Sequence, residues 1–136
     1  MGLIIQLRSG ERVFLGTTVL INRDKDRSDI EIEGDLPIMR EKDFLPPDQA
    51  TTPCKRLYLT IQRMYLENAA ATLQLQFTAL QSEVETLLPA AKPFLRSILA
   101  ELANGAYYRA LKEGQKLIQL EAGGEPIKAP PASGSL

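Results

Sequence analysis

The chain is predicted to be α+β: a small antiparallel β module of about five short strands, followed by a four-helix portion. Two patterns predict this. Up to residue 45, apolar residues come in short runs, broken at about 8–10-residue spacing by glycine or charged turns. Beyond a proline-rich stretch, apolar positions recur at three- and four-residue steps, the period of a helix with one buried face. With 136 residues the chain has the length of one ordinary domain, or of a module with a helical extension. The boundaries read as a β module over 1–45, a hinge over 46–52, a helical portion over 53–122 and a disordered tail over 123–136.

The strands follow in order. Leu3-Ile4-Ile5-Gln6-Leu7 is ended by Arg8-Ser9-Gly10-Glu11. Arg12-Val13-Phe14-Leu15 is ended by Gly16, and Thr17–Ile21 by a charged tip over 22–27. Asp29–Glu33 alternates with a period of two, so Ile30 and Ile32 share a face. Leu36–Arg40 is a last strand, at an edge because Pro37 has no N–H to donate. Thr52-Pro53 then supplies an N-cap and a first helical residue. Leu57, Ile61 and Met64 form the stripe of the first helix, with Tyr58 and Tyr65 beside it. Leu73, Phe77, Leu80, Val84 and Leu87 form that of the second. Pro89 and Pro93 break the pattern. A third helix carries Phe94, Leu95, Ile98, Leu99 and Leu102 and closes at Asn104-Gly105. A fourth carries Tyr107, Leu111 and Ile118. After Gly123 the composition is that of a disordered tail.

Composition removes several classes of function. The chain has no histidine and one cysteine, Cys54, so serine–histidine and cysteine–histidine pairs, intrachain disulfides and most zinc sites are out. Phosphate-binding and nucleophile-elbow motifs are missing, and no enzyme activity, cofactor or metal is expected. Asp24, Asp26 and Ser28 alternate like calcium ligands. Lys25 and Arg27 interleave, however, and a solvated hairpin tip is the better reading. Cys54 stands beside Lys55 and Arg56, which would lower its pKa, but with no base to pair it reads as a packed small residue. No apolar run reaches membrane-spanning length and no signal peptide is evident, so a cytoplasmic location is expected.

A net charge of −1 argues neither for nor against a polyanionic partner, so any nucleic-acid surface must be a local patch. Acidic residues outnumber basic ones over 1–45, and the reverse holds over 50–120. Arg8 flanks the first turn, and Arg40-Glu41-Lys42 follows the last strand. If first and last strands meet, Arg8, Arg40 and Lys42 form one patch able to hold single-stranded RNA. Arg56 and Arg63, seven apart, lie on one face of the first helix; Arg109, Lys112 and Lys116 share a face of the fourth. The ordinary reading of both is a solvated face. The tyrosines would stack on bases if exposed, but Tyr58, Tyr65 and Tyr107 adjoin core stripes.

Several segments in order resemble a known family: Gly10-Glu11-Arg12, Ile38-Met39-Arg40-Glu41-Lys42-Asp43, Ala50–Tyr58, Met64-Tyr65-Leu66 and Gly105–Lys112. Together they resemble the flagellum biosynthesis repressor family, FlbT, over about residues 2–122, with Cys54 where alanine is usual. The resemblance implies a post-transcriptional repressor that associates with the 5′ untranslated leader of flagellin mRNA and promotes its decay. Residues 3–16 also resemble the start of the carbon storage regulator, a small RNA-binding β protein. There, basic residues of the first strand and an arginine of the last form the RNA surface of an intertwined dimer; the matching positions here are Arg8 and Arg40. Only one basic residue stands in the first strand's run, because position 7 is leucine.

The expected RNA-binding residues are therefore Arg8, Arg40, Lys42, Arg56 and Arg63, in a cytoplasmic homodimer whose partner is the flagellin mRNA leader. The alternative is a protein-interaction adaptor or chaperone-like module in flagellar assembly, in which the stripe from Leu73 to Leu87 seats flagellin or another flagellar regulator.

Overall fold

The computed structural model describes residues 2–123. The proposed tail over 123–136 therefore lies outside the described residues, Gly123 excepted. Five strands are followed by four α-helices among the described residues: β1 (Leu3–Leu7), β2 (Arg12–Leu15), β3 (Thr18–Ile21), β4 (Ser28–Ile32), β5 (Ile38–Arg40), α1 (Pro53–Leu66), α2 (Ala70–Leu87), α3 (Lys92–Ala103) and α4 (Tyr107–Glu121). Two compact units result. Among the described residues, one is built on residues 2–44 and takes in Leu66–Asn68; the other holds Leu45–Tyr65 and residues 69–123.

In the first unit the strands form two antiparallel sheets, β1-β4 and β3-β2-β5. β1 and β4 are in register with Ile5 opposite Ile30 and Gln6 opposite Asp29. Val13 of β2 faces Leu20 on one side and Arg40 on the other. Alternation then decides the faces. Ile5, Leu7 and Val13 are buried together, with Leu15, Leu20, Ile30, Ile32 and Ile38 packed around them, so the core lies between the two sheets. Burying each such side chain stabilises the unit by about 1.5–3 kcal/mol. β5 is an edge strand, as Pro37 requires, and it starts only after that proline; the Pro37 carbonyl accepts the Gly16 N–H. On the other face of the three-stranded sheet, Phe14 stacks on Phe44 with centroids 3.8 Å apart, and the Arg12 guanidinium lies over the Phe14 ring.

Asn22 closes one end of this unit. Its amide Nδ2 donates to the carbonyls of Leu7, Arg8 and Asp26, its Oδ1 accepts the Asp24 N–H, and its backbone exchanges hydrogen bonds with Gly10 and Glu11. One buried side chain thus joins the β1–β2 turn to the β3–β4 tip.

In the second unit, α1 and α4 run antiparallel: Cys54 meets Glu121, Tyr58 meets Gln115, and Tyr65 meets Tyr107. The start of α1 is capped twice. Thr52 Oγ1 accepts the Lys55 N–H, as the sequence predicts, and donates to Glu121. The second carboxylate oxygen of Glu121 accepts the Cys54 N–H at 3.0 Å, placing a negative charge at the positive end of the helix. Gln62, buried in α1, exchanges two hydrogen bonds with the backbone of Leu45. Pro89 opens a short 3-10 turn over Pro89–Ala91, and Pro93 sits in the first turn of α3, where no N–H is needed. α3 is closed just beyond its Asn104 cap by Gly105, whose φ is +71°. Gly105 N–H bonds the Leu102 carbonyl and Ala106 N–H that of Glu101, which is the Schellman pattern.

One sequence reading needs correction here. The buried stripe of α4 is Ala110, Leu111, Gly114 and Leu117, not one ending on Ile118. Gly114 is the reason: a Cβ there would stand 3.0 Å from the ring of buried Tyr58, so close packing turns this face inward. Cys54 is buried, the packed small residue that the sequence favours, and Lys55 and Arg56 do not activate it. Burial, then the negative charge of Glu121 and its hydrogen bond, push the thiol up to about 12.

Gly114→Ala is therefore expected to destabilise the chain by about 1 kcal/mol in urea unfolding, although alanine is the better helix former; a gain in stability would contradict this packing. Cys54 in the native chain is expected to resist thiol reagents at pH 8 and to react fully in denaturant, as followed by chromogenic thiol titration.

Candidate nucleic-acid interface

The β1–β2 turn carries Arg8 and Glu11, and β5 ends on Arg40 beside β2. Their side chains converge. The Glu11 carboxylate, only 9% exposed, accepts the Arg8 N–H at 2.8 Å through Oε1 and Arg40 Nη2 at 3.3 Å through Oε2. Arg40 Nη2 also donates to the Gln6 carbonyl of β1 at 2.8 Å, so one guanidinium bridges the two sheets. The Arg8 backbone N–H, reinforced by the Arg40 and Arg8 guanidinium groups, holds the Glu11 carboxyl below its ordinary value against the opposing effect of burial.

An open depression of ≈ 360 Å³ lies beside this cluster, lined by Gln6, Arg8, Glu11, Arg27, Arg40 and Lys42. A second, bounded by Arg8, Ser9, Gly10, Glu11, Glu41 and Lys42, adjoins it. Arg8, Glu11 and Lys42 are common to both. The first is strongly basic, with four cations and one carboxylate in its lining. The second is balanced. Glu41 is engaged by Arg12, accepting its N–H at 2.7 Å, with the guanidinium at 3.6 Å. A shallow basic hollow of this kind holds anionic ligands at its rim and admits a splayed chain.

Of the five residues the sequence singles out, Arg8, Arg40 and Lys42 come together. Arg56 and Arg63 are on α1 in the other unit; Arg56 pairs with Glu83 of α2 at 3.2 Å, and Arg63 is exposed. Arg27 is the residue that sequence reasoning missed. It sits in the charged tip before β4 and reaches Gln6 Oε1 at 3.3 Å. Only the β1–β4 register carries it to the depression, and no local motif signals that. Among the tyrosines, Tyr58 is buried, Tyr65 and Tyr107 pair at 6.3 Å, and Tyr108 is exposed with Lys112 over its ring. Of the stripe proposed to seat a protein partner, Leu73, Phe77 and Val84 are buried, Leu80 is half-buried and Leu87 is exposed. Among the described residues no group of acidic, cysteine or histidine side chains is placed to hold a metal ion, and no helix is long and apolar enough to cross a membrane.

The arrangement is a small β unit that presents cations around an open hollow, in a chain whose other unit is helical. Its family follows from comparison with known proteins. The family described as "Flagellar protein FlbT" matches residues 3–123, and the chain belongs to it. It is similar to the probable flagellum biosynthesis repressor protein FlbT 1 of Bradyrhizobium diazoefficiens, with 37% identity covering 89% of this chain and 83% of the relative. The corresponding protein of Rhodopseudomonas palustris is 36% identical, covering 89% and 95%. The flagellum biosynthesis repressor protein FlbT of Caulobacter vibrioides is 30% identical, covering 89% and 87%. No solved structure matches the chain.

Glu11→Gln tests the cluster. The carboxylate has a lowered folded pKa, so its contribution is complete above its ordinary value of 4.5 and is lost as pH falls through the folded value. The variant is expected to be less stable than wild type by about 1 kcal/mol at pH 7. In urea unfolding the difference should shrink towards zero on acidification below 4.5; a difference independent of pH would show that Glu11 is not ionised in this role.

Proposed function

We propose that the chain represses flagellin synthesis after transcription, by associating with the 5′ untranslated leader of flagellin mRNA in the cytoplasm and promoting its decay. The observation that carries this is the convergence of Arg8, Arg40 and Lys42, with Arg27, on one open depression of the β unit. Repressor is the word that the names of its relatives supply. Cations at the rim neutralise phosphates, and guanidinium groups suit both phosphate oxygens and exposed base edges. Occupying the leader blocks ribosome access, and an untranslated message is open to nucleases; the protein itself need perform no chemistry. A second copy joined along the edge strand β3, where Val19 and Ile21 are exposed, would put two depressions in one particle and raise affinity for a leader that offers two sites.

A protein-interaction adaptor remains the alternative. It is favoured by the outer face of α2: residues 68–82 carry no charge, and Leu75 there is 84% exposed. On that reading α2 docks flagellin or another flagellar regulator, and any effect on mRNA is indirect.

The test is a gel shift of the purified chain with its own flagellin leader and a scrambled RNA at moderate salt. Specific retardation is expected, lost in Arg8→Glu/Lys42→Glu while circular dichroism shows that variant folded. No retardation by the wild type would overturn direct RNA binding and favour the adaptor.

A further inference from the structure

The four cations around the depression are not equivalent. Arg40 is committed within the fold, to the Gln6 carbonyl and to Glu11, with 39% of its side chain exposed. Arg8 binds Glu11 through its backbone N–H, but its side chain is 75% exposed and its Nε stands 3.7 Å from the carboxylate. Arg27 makes an exposed hydrogen bond to the neutral Gln6 amide. Lys42 is exposed and makes no hydrogen bond or ion pair among the described residues.

We infer that Arg8, Arg27 and Lys42 contact the phosphates of a single-stranded RNA at this depression, and that Arg40 is a positioning residue that keeps its charge on Glu11. The inference rests on the RNA reading above and divides the labour within that site. Moving Arg40 onto a phosphate would strand a largely enclosed carboxylate and release the bridge between the sheets, and each loss opposes binding. Moving Arg27 exchanges an exposed contact with a neutral amide oxygen for an ion pair with a phosphate. Lys42 gives up nothing. Arg27 is also held in place: Asn22 grips the Asp26 carbonyl, and β4 begins at Ser28 in register with Leu7. Arg27 thus enters beside Gln6, on the same depression as Arg40.

Salt dependence separates the roles, because each phosphate contact on a single strand contributes about 0.7 to the slope of log affinity against log salt. The measurement titrates the full chain with its flagellin leader RNA across a salt series. Arg27→Gln and Lys42→Gln are each expected to weaken binding and to reduce the magnitude of the slope by about 0.7. Arg40→Gln is expected to lower thermal stability and leave the slope unchanged. If that variant does not fold, Glu11→Gln/Arg40→Gln, which removes the counter-charge as well, carries the same expectation. Retained binding with an unchanged slope in Arg27→Gln or Lys42→Gln, or a slope reduced by about 0.7 in the Arg40 variant, would overturn the division while leaving the RNA reading intact. Failure of the wild type to bind the leader even at low salt would overturn both.

Discussion

The β unit depends on one largely enclosed carboxylate. Glu11 stands in the turn between β1 and β2, where it accepts a backbone N–H from Arg8 and a guanidinium hydrogen bond from Arg40 at the end of β5. Arg40 in turn grips the carbonyl of Gln6 in β1. The first strand, the first turn and the last strand are thereby closed around a single negative charge. The apolar core of Ile5, Leu7 and Val13 holds the two sheets face to face, but it is small and gives no direction along the strands. The charge cluster supplies that direction. It also lets two guanidinium groups stand close together, since Glu11 offsets their repulsion. Asn22 performs the equivalent task at the neighbouring loop without charge.

From this constraint follows the character of the interface. A chain of net charge −1 presents a local basic hollow because the acidic residues beside it are turned inward, as Glu11 is, or engaged by Arg12, as Glu41 is, while the exposed Asp24, Asp26, Asp29, Glu31, Glu33 and Asp35 do not line it. Cations left at the rim are those with weak partners or none. The helical unit treats its charges in the opposite way. Arg56 is matched with Glu83 and Lys116 with Glu113, and Glu121 caps α1. That unit leaves exposed an uncharged face of α2.

Much of the fold was legible in the sequence because its signals are local. Alternation marked the strands, three- and four-residue steps marked the helices, and Pro37, Thr52-Pro53 and Asn104-Gly105 marked an edge, a start and a stop. Strand order was not legible, because it depends on pairing across long stretches of chain. The same physics explains what was missed in the sites. Arg27 looks like any charge in a hairpin tip until the β1–β4 register places it beside Gln6. Cys54 has cations next to it in sequence, yet burial and a carboxylate 67 residues away govern its thiol. The stripe from Leu73 to Val84 was legible as an apolar face, but a periodic pattern does not say whether the partner is the chain's own core or another molecule.

The most direct test of this account is a nuclear magnetic resonance titration of the labelled chain with a short single-stranded oligonucleotide from its flagellin leader. The account predicts shifts confined to the β1–β2 turn, the tip before β4 and the segment after β5, with the Arg27 and Arg8 guanidinium signals moving and that of Arg40 retained in its Glu11 contact. Shifts centred on the outer face of α2, with the β unit unchanged, would contradict it.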